Sequence, residues 1–312
     1  MSLRGWALFA AMSVAWGVPY LFIKIAVDDG LSPGFVAWSR VALGALVLLP
    51  VALRTGALRG LPLRWLVAFA ITEICIPFPL IGFGETRVSS SLAAILIASL
   101  PLMVTFLALR FDRSERPTRT RLLGMLVGLG GVAALVGIDI GGTGSELIGA
   151  GAILVATMGY ACGPLIVNRQ LSDADPLGPV TAAMAIASII LLPFGIGDFP
   201  SQTPSGEAIL AVVVLGLVCS ATAFLVFFRL IAEVGPSRAT VITYVNPVVA
   251  LALGVAVLGE SITAGAVAGL LLILAGSWLA TDSRLPPGLA ALGDRLSGRK
   301  REHSGPQLQE TR

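Results

Sequence analysis

Asn246-Pro247-Val248-Val249-Ala250-Leu251-Ala252-Leu253-Gly254-Val255-Ala256-Val257-Leu258-Gly259-Glu260-Ser261-Ile262-Thr263 is an apolar run closed by a short acidic turn. Its landmarks occur once before, from Pro101 to Glu115-Arg116-Pro117-Thr118. A shift of about 145 residues carries the flanks along as well. Gly124 and Gly131 fall on Gly269 and Gly276, and Leu48-Leu49-Pro50 falls on Leu191-Leu192-Pro193, with Pro33 on Pro176. Apolar helices rich in Gly and Pro match by chance at scattered positions. Ordered matches at a nearly constant offset point instead to two copies of one unit.

The solvent of that unit is lipid. Hydrophobic residues make up 56% of the 312 and charged residues 12%, whereas soluble domains average about 45–50% and about 25%. Apolar segments are predicted at 5–27, 35–53, 63–83, 88–111 and 122–138, then at 147–167, 179–196, 208–231, 239–258 and 264–280. Most approach the roughly 20 residues that cross a hydrocarbon core about 30 Å thick, and none shows the alternation of a membrane barrel. Arg4 precedes an apolar run as in a signal peptide, but the run is too long for one and its removal would break the repeat. The expectation is an all-α membrane protein of ten transmembrane helices in two inverted five-helix repeats. Residues 1–4 form a cytoplasmic N-terminus, 5–138 and 147–281 the repeats, and 282–312 a disordered basic cytoplasmic tail.

Inversion follows from the odd number of segments per repeat, and the charges agree with it. Eighteen of the 21 Lys and Arg residues fall at one side when the N-terminus is cytoplasmic, including Arg54, Arg59, Arg113, Arg116 and the Arg299-Lys300-Arg301 cluster. Bases mark the inner side, so both termini are expected in the cytoplasm of a bacterial inner membrane. The connection holding Glu115 is then inner and basic, and that holding Glu260 outer and acidic, along with Asp28, Asp29 and Glu85. The basic tail suits lipid headgroups, and no nucleic-acid partner is implied. Cys75, Cys162 and Cys219 all lie in apolar segments, so no disulfides are expected, and the single histidine, His303, lies in the tail.

Trp16-Gly17 followed by Phe22 and Lys24, and Asn246-Pro247 followed by Leu258-Gly259-Glu260 and Gly276, resemble the drug/metabolite transporter superfamily in its ten-helix EamA-type form. The first half departs from the pattern, with Arg110-Phe111-Asp112-Arg113 in place of an apolar run and one extra residue between Pro101 and Glu115. The resemblance implies secondary transport by alternating access, with export of amino acids, related metabolites or drugs, around a site lined by segments 1, 3, 4, 6, 8 and 9. A facilitator or channel-like permease without coupling is the alternative function.

Among site candidates, Glu73 is an isolated carboxyl deep in segment 3, about ten residues and roughly 15 Å from one end. Buried there it must be protonated, paired or facing water, which suits a proton-coupling group or a structural partner of Arg40 or of a hydroxyl. Arg40 either makes that pair or holds an acidic substrate group, and Lys24 either snorkels to the headgroups or touches substrate. Trp16 and Tyr160 occupy matching mid-segment positions, with Tyr20 and Tyr244 as further aromatic candidates and Asn246 as a polar one; ordinary packing is the competing reading for each. Pro101 and Pro247 each free a carbonyl and are hinge candidates, and Pro77 and Pro79 should distort segment 3 just beyond Glu73. Gly124-x-x-x-Gly128 and Gly265-x-x-x-Gly269 permit close packing of segments 5 and 10, or else a homodimer face. The segments hold no cluster of metal ligands and no nucleophile–base pair, and Gly141-Gly142-Thr143-Gly144 lacks the Lys-Ser/Thr of a phosphate loop. Neither a cofactor nor a metal nor an enzymatic reaction is indicated.

Overall fold

The computed structural model describes residues 2–111, 118–139, 144–234 and 242–282. Glu115, the loop at 141–143, the start of segment 9 and the basic tail from 283 lie outside the described residues. Everything regular in them is helical. Ten apolar helices follow in order: α1 Leu3–Asp28, α2 Pro33–Thr55, α3 Leu63–Glu85, α4 Ser90–Leu107, α5 Arg119–Gly137, α6 Gly144–Ile166, α7 Leu177–Ile190, α8 Gly206–Phe227, α9 Ile242–Leu258 and α10 Ala264–Ala280. Seven are long and apolar enough to cross a membrane by themselves, while α7, α9 and α10 are shorter.

The repeated Glu-x-x-Thr motif acquires a physical meaning here. Its threonines start equivalent helices: Thr118 Oγ1 accepts from Arg121 N at 3.2 Å, and Thr263 Oγ1 accepts from Ala266 N at 3.0 Å. Each satisfies a donor that a helix N-terminus would otherwise leave bare. Gly259 ends α9 with φ +67°, a left-handed conformation that glycine adopts without strain. The chain then turns back so that Glu260 N donates to Gly254 O at 3.1 Å.

The helices so started, α5 and α10, pack backbone against backbone. A Cβ placed on Gly124 would lie 2.7 Å from Gly276 O, and one on Gly131 would lie 3.0 Å from Gly269 O. Rising numbers on α5 meet falling numbers on α10, so the two helices are antiparallel. Exchanging the halves turns one of these contacts into the other. Equivalent helices that run in opposite directions are what an inverted repeat requires. These glycine faces are occupied within the chain.

The remaining contacts obey the same exchange. Helix α1 packs on α8 and α9 as α6 packs on α3 and α4, and α2 meets α8 as α7 meets α3, while α2 and α7 meet each other. The two halves are interlaced and share a core. Side chains such as Leu46, Leu126 and Ile189 remain exposed on the outside. In water they would invite aggregation; in a bilayer they face hydrocarbon.

Candidate functional site

Several of the helices that meet between the halves lose regularity, and polar side chains gather there. Helix α1 breaks at Val18, because Pro19 has no N–H to continue the ladder. The part beyond the break carries Tyr20 and Lys24. Helix α3 widens into a π turn over Ile71–Cys75, with Ile76 N donating to Ile71 O at 3.0 Å, before Pro77 restarts the α-helix. A distortion is therefore present in segment 3, but it spans Glu73 where the prolines pointed to a place just beyond it. Helix α8 has a π turn at the equivalent place, Leu217–Thr222. No proline causes it; Ser220 Oγ donates to Leu215 O at 2.8 Å, a bond across five residues that fits the wider turn. Such insertions rotate one side chain off its helical face, and functional sites often use them.

Helices α2 and α8 can approach closely because Gly216 has no side chain: a Cβ there would lie 3.0 Å from Arg40 O. Across this contact Arg40 Nε donates to Ser220 Oγ at 2.7 Å. The guanidinium also lies over the ring of Phe78, 4.0 Å from its centroid, a favourable cation–π placement from α3. Tyr160 of α6, Cys219 of α8 and Tyr20 of α1 lie within electrostatic reach of it, with Glu85. Five helices thus converge on one arginine that is 6% exposed.

Glu73 sits to one side of this group. Its field reaches Tyr160, but no ion pair joins it to Arg40. The reading of Glu73 as a structural partner of Arg40 is thereby corrected: the π turn directs the carboxyl against α6, where Oε2 is buried without a hydrogen-bond partner beside the bare Cα of Gly163. Trp16 packs on Phe224 and Phe227, with centroids 5.7 and 4.7 Å away, in the cluster around Met12 and Leu230. Asn246, with its amide nitrogen turned to donate to Ser13 O and Ile242 O, ties α9 to α1. Tyr244 is half-buried on α9. The hinge candidates diverge. Helix α4 does break just before Pro101, at Ala98-Ser99, whereas α9 runs unbroken through a buried Pro247.

Glu85 departs most from the sequence reading. It was expected in an outer connection, yet α3 continues to it and the residue has no exposed surface. Both carboxyl oxygens lack a partner, while Lys24 Nζ donates to the Glu85 carbonyl at 2.9 Å and pairs with Asp28 at 3.0 Å. Lys24 thus reaches toward the end of its helix. At this end of the bundle Glu260 closes the N-terminus of α4. Its Oε1 accepts from Ser90 N at 2.7 Å, and its Oε2 accepts from Ser91 N at 3.0 Å and from the Ser91 hydroxyl. Burial works against the charge of Glu260, but the bonds from Ser91 and Ser90 outweigh it and hold the carboxyl below the usual carboxylate range. Two more ties join the halves here: Asp29 accepts from Ser205 N at 3.0 Å, and Ser32 Oγ donates to Asp198 at 3.0 Å.

A family model described as the EamA-like transporter family matches residues 3–137 and again 147–281. The chain belongs to this family. It is an EamA-like integral membrane protein, and several of its curated relatives are transporters by name. The inner membrane transporter YedA of Escherichia coli is 31% identical over 82% of this chain and 83% of its own length. A transporter of Archaeoglobus fulgidus is 26% identical over 90% of this chain and 100% of its own. A Salmonella typhimurium protein, named a probable amino-acid metabolite efflux pump, is 25% identical over 89% and 95%. One solved crystal structure covers 90% of the EamA-like chain and 99% of its own, with a TM-score of 0.64 at 19% identity, a likeness of fold.

Proposed function

We propose that this transporter works by alternating access and exports amino acids, related small metabolites or drugs, with both termini in the cytoplasm. The observation that carries the reading is the buried polar group around Arg40, held by helices of both inverted halves, since inverted repeats allow one central site to face either side in turn. The name of the Salmonella relative supports amino-acid metabolites and export. The bias of Lys and Arg supports the orientation. Proton coupling is assigned to Glu73, a carboxyl within the π turn of α3 whose buried Oε2 has no hydrogen-bond partner.

Counterflow in proteoliposomes tests the carrier. Preloading with unlabelled amino acids should accelerate uptake of the same labelled compounds, which an open facilitator pore would not do. In Glu73→Gln, accumulation driven by a pH gradient should be lost while exchange persists; unchanged accumulation removes Glu73 as the proton carrier. Gly163→Ala puts a methyl group onto the Glu73 carboxyl. A displaced rotamer costs about 1 kcal/mol, so pH-driven accumulation should fall several-fold with exchange retained.

A further inference from the structure

We infer that Arg40 binds a carboxylate of the substrate through its two terminal amino groups. The inference rests on the transporter reading and names the chemistry of its site. A guanidinium stays charged under all physiological conditions, and a buried charge without a counter-ion costs several kcal/mol. Arg40 is buried within α2, yet neither of the ion pairs Arg4 with Glu233 and Lys24 with Asp28 involves it. Glu73 is turned against α6. Glu85, the carboxyl within reach, sends neither oxygen to any partner. The other groups within its electrostatic reach, Tyr160, Cys219 and Tyr20, are phenols and a thiol.

What the protein does supply to Arg40 fixes its direction and leaves its charge unmatched. Ser220 takes Nε–H and is itself held by its bond to Leu215 O. Phe78 covers one face of the guanidinium plane. The two terminal amino groups make no hydrogen bond, and they are not among the sealed-off atoms, as Glu73 Oε2 and both Glu85 oxygens are. They form the outer edge of a planar fork, whose natural complement is an anion with two coplanar oxygens. One guanidinium neutralises one negative charge. A carboxylate fits that arithmetic, whereas a phosphate monoester would bring about 1.5 to 2 charges to it.

The test uses the purified full chain in detergent, with benzoate, benzamide, benzylamine and phenyl phosphate as probes of one ring size and four head-group chemistries. Benzoate should raise the thermal midpoint, with benzamide and benzylamine inert and phenyl phosphate weaker. Arg40→Met should abolish the benzoate response. Arg40→Lys should raise the benzoate concentration required about tenfold, the equivalent of losing one charge-assisted hydrogen bond of about 1.4 kcal/mol. Should Arg40→Met fail to fold, Ser220→Ala, which frees Nε and gives up the bond to Leu215 O but keeps the guanidinium, should still weaken benzoate several-fold.

The inference is overturned by a null response to benzoate, by equal protection from benzamide or benzylamine, or by a benzoate response unchanged in Arg40→Met or, where that variant does not fold, in Ser220→Ala. Preference for phenyl phosphate overturns the carboxylate in favour of a phosphate. Wild-type counterflow separates this from the transporter reading. Counterflow of benzylamine with benzoate inert keeps the carrier and removes the anion site, whereas absence of any counterflow alongside benzoate protection does the reverse.

Discussion

Gly276→Leu should leave no folded protein to assay. A Cβ at this position would lie 2.5 Å from Gly128 Cα and 2.6 Å from Gly124 O, with Gly128 N nearer still. Those neighbours are backbone and cannot rotate aside, so α10 would have to move bodily away from α5. Overpacking a yielding side-chain core costs about 1–3 kcal/mol; here the helix pair itself must separate. Helices in lipid gain no hydrophobic energy by associating and depend on such close contact. The damage also spreads, because α5 and α10 relate the two halves through contacts that exchange under the symmetry. In detergent extracts, size-exclusion chromatography should show the variant aggregated or absent. Gly130→Leu provides the control: nothing lies within 4 Å of a Cβ there, and its elution profile should match the wild type. A monodisperse Gly276→Leu at wild-type yield would mean that the α5–α10 contact does not hold the repeats together.

Those glycines were readable in advance because spacing is a one-dimensional property. The repeat, the ten apolar segments and the place of Arg40 within one of them follow from order and composition. What a side chain faces does not. Ser220 resembles any small residue in an apolar run, and only the fold shows it anchoring Arg40 within a π turn that no proline announces. Glu85 stands where hydropathy fades, so the sequence put it in a connection; the helix continues two residues past the predicted end and buries it completely. Pro101 and Pro247 look equivalent in sequence and differ in effect, since α4 breaks ahead of one and α9 absorbs the other. The break at Val18 does have a signal in Pro19, which stands beside the more prominent Trp16-Gly17.

Glu260 follows the same logic with the sign of its charge added. The sequence showed it twice over, as the acidic end of a repeated motif, without showing that its carboxylate would cap a helix of the opposite half. Glu260→Ala removes the acceptors of Ser90 N, Ser91 N and the Ser91 hydroxyl at once. Hydrogen bonds to a charged group contribute about 1.5–3 kcal/mol each, and water would replace part of that at this half-exposed position. The protection of the Ser90 and Ser91 amides against hydrogen exchange, corrected for intrinsic rate, should therefore fall at least about tenfold, the equivalent of 1.4 kcal/mol. Glu260→Gln, which keeps one acceptor oxygen without the charge, should fall between. The pH dependence has a definite sign. Because the carboxyl is held below its ordinary value in the folded structure, its contribution is complete above the ordinary glutamate range near about 4.3 and is lost as pH falls further. Wild-type protection should thus be flat from neutrality to about pH 5 and drop only in stronger acid, whereas Glu260→Ala should show no such drop. If the two amides exchange alike in both proteins at neutral pH, the carboxylate is not what joins α9 to α4, and the other ties at that end, Asp29 to Ser205 and Ser32 to Asp198, must hold the halves together there.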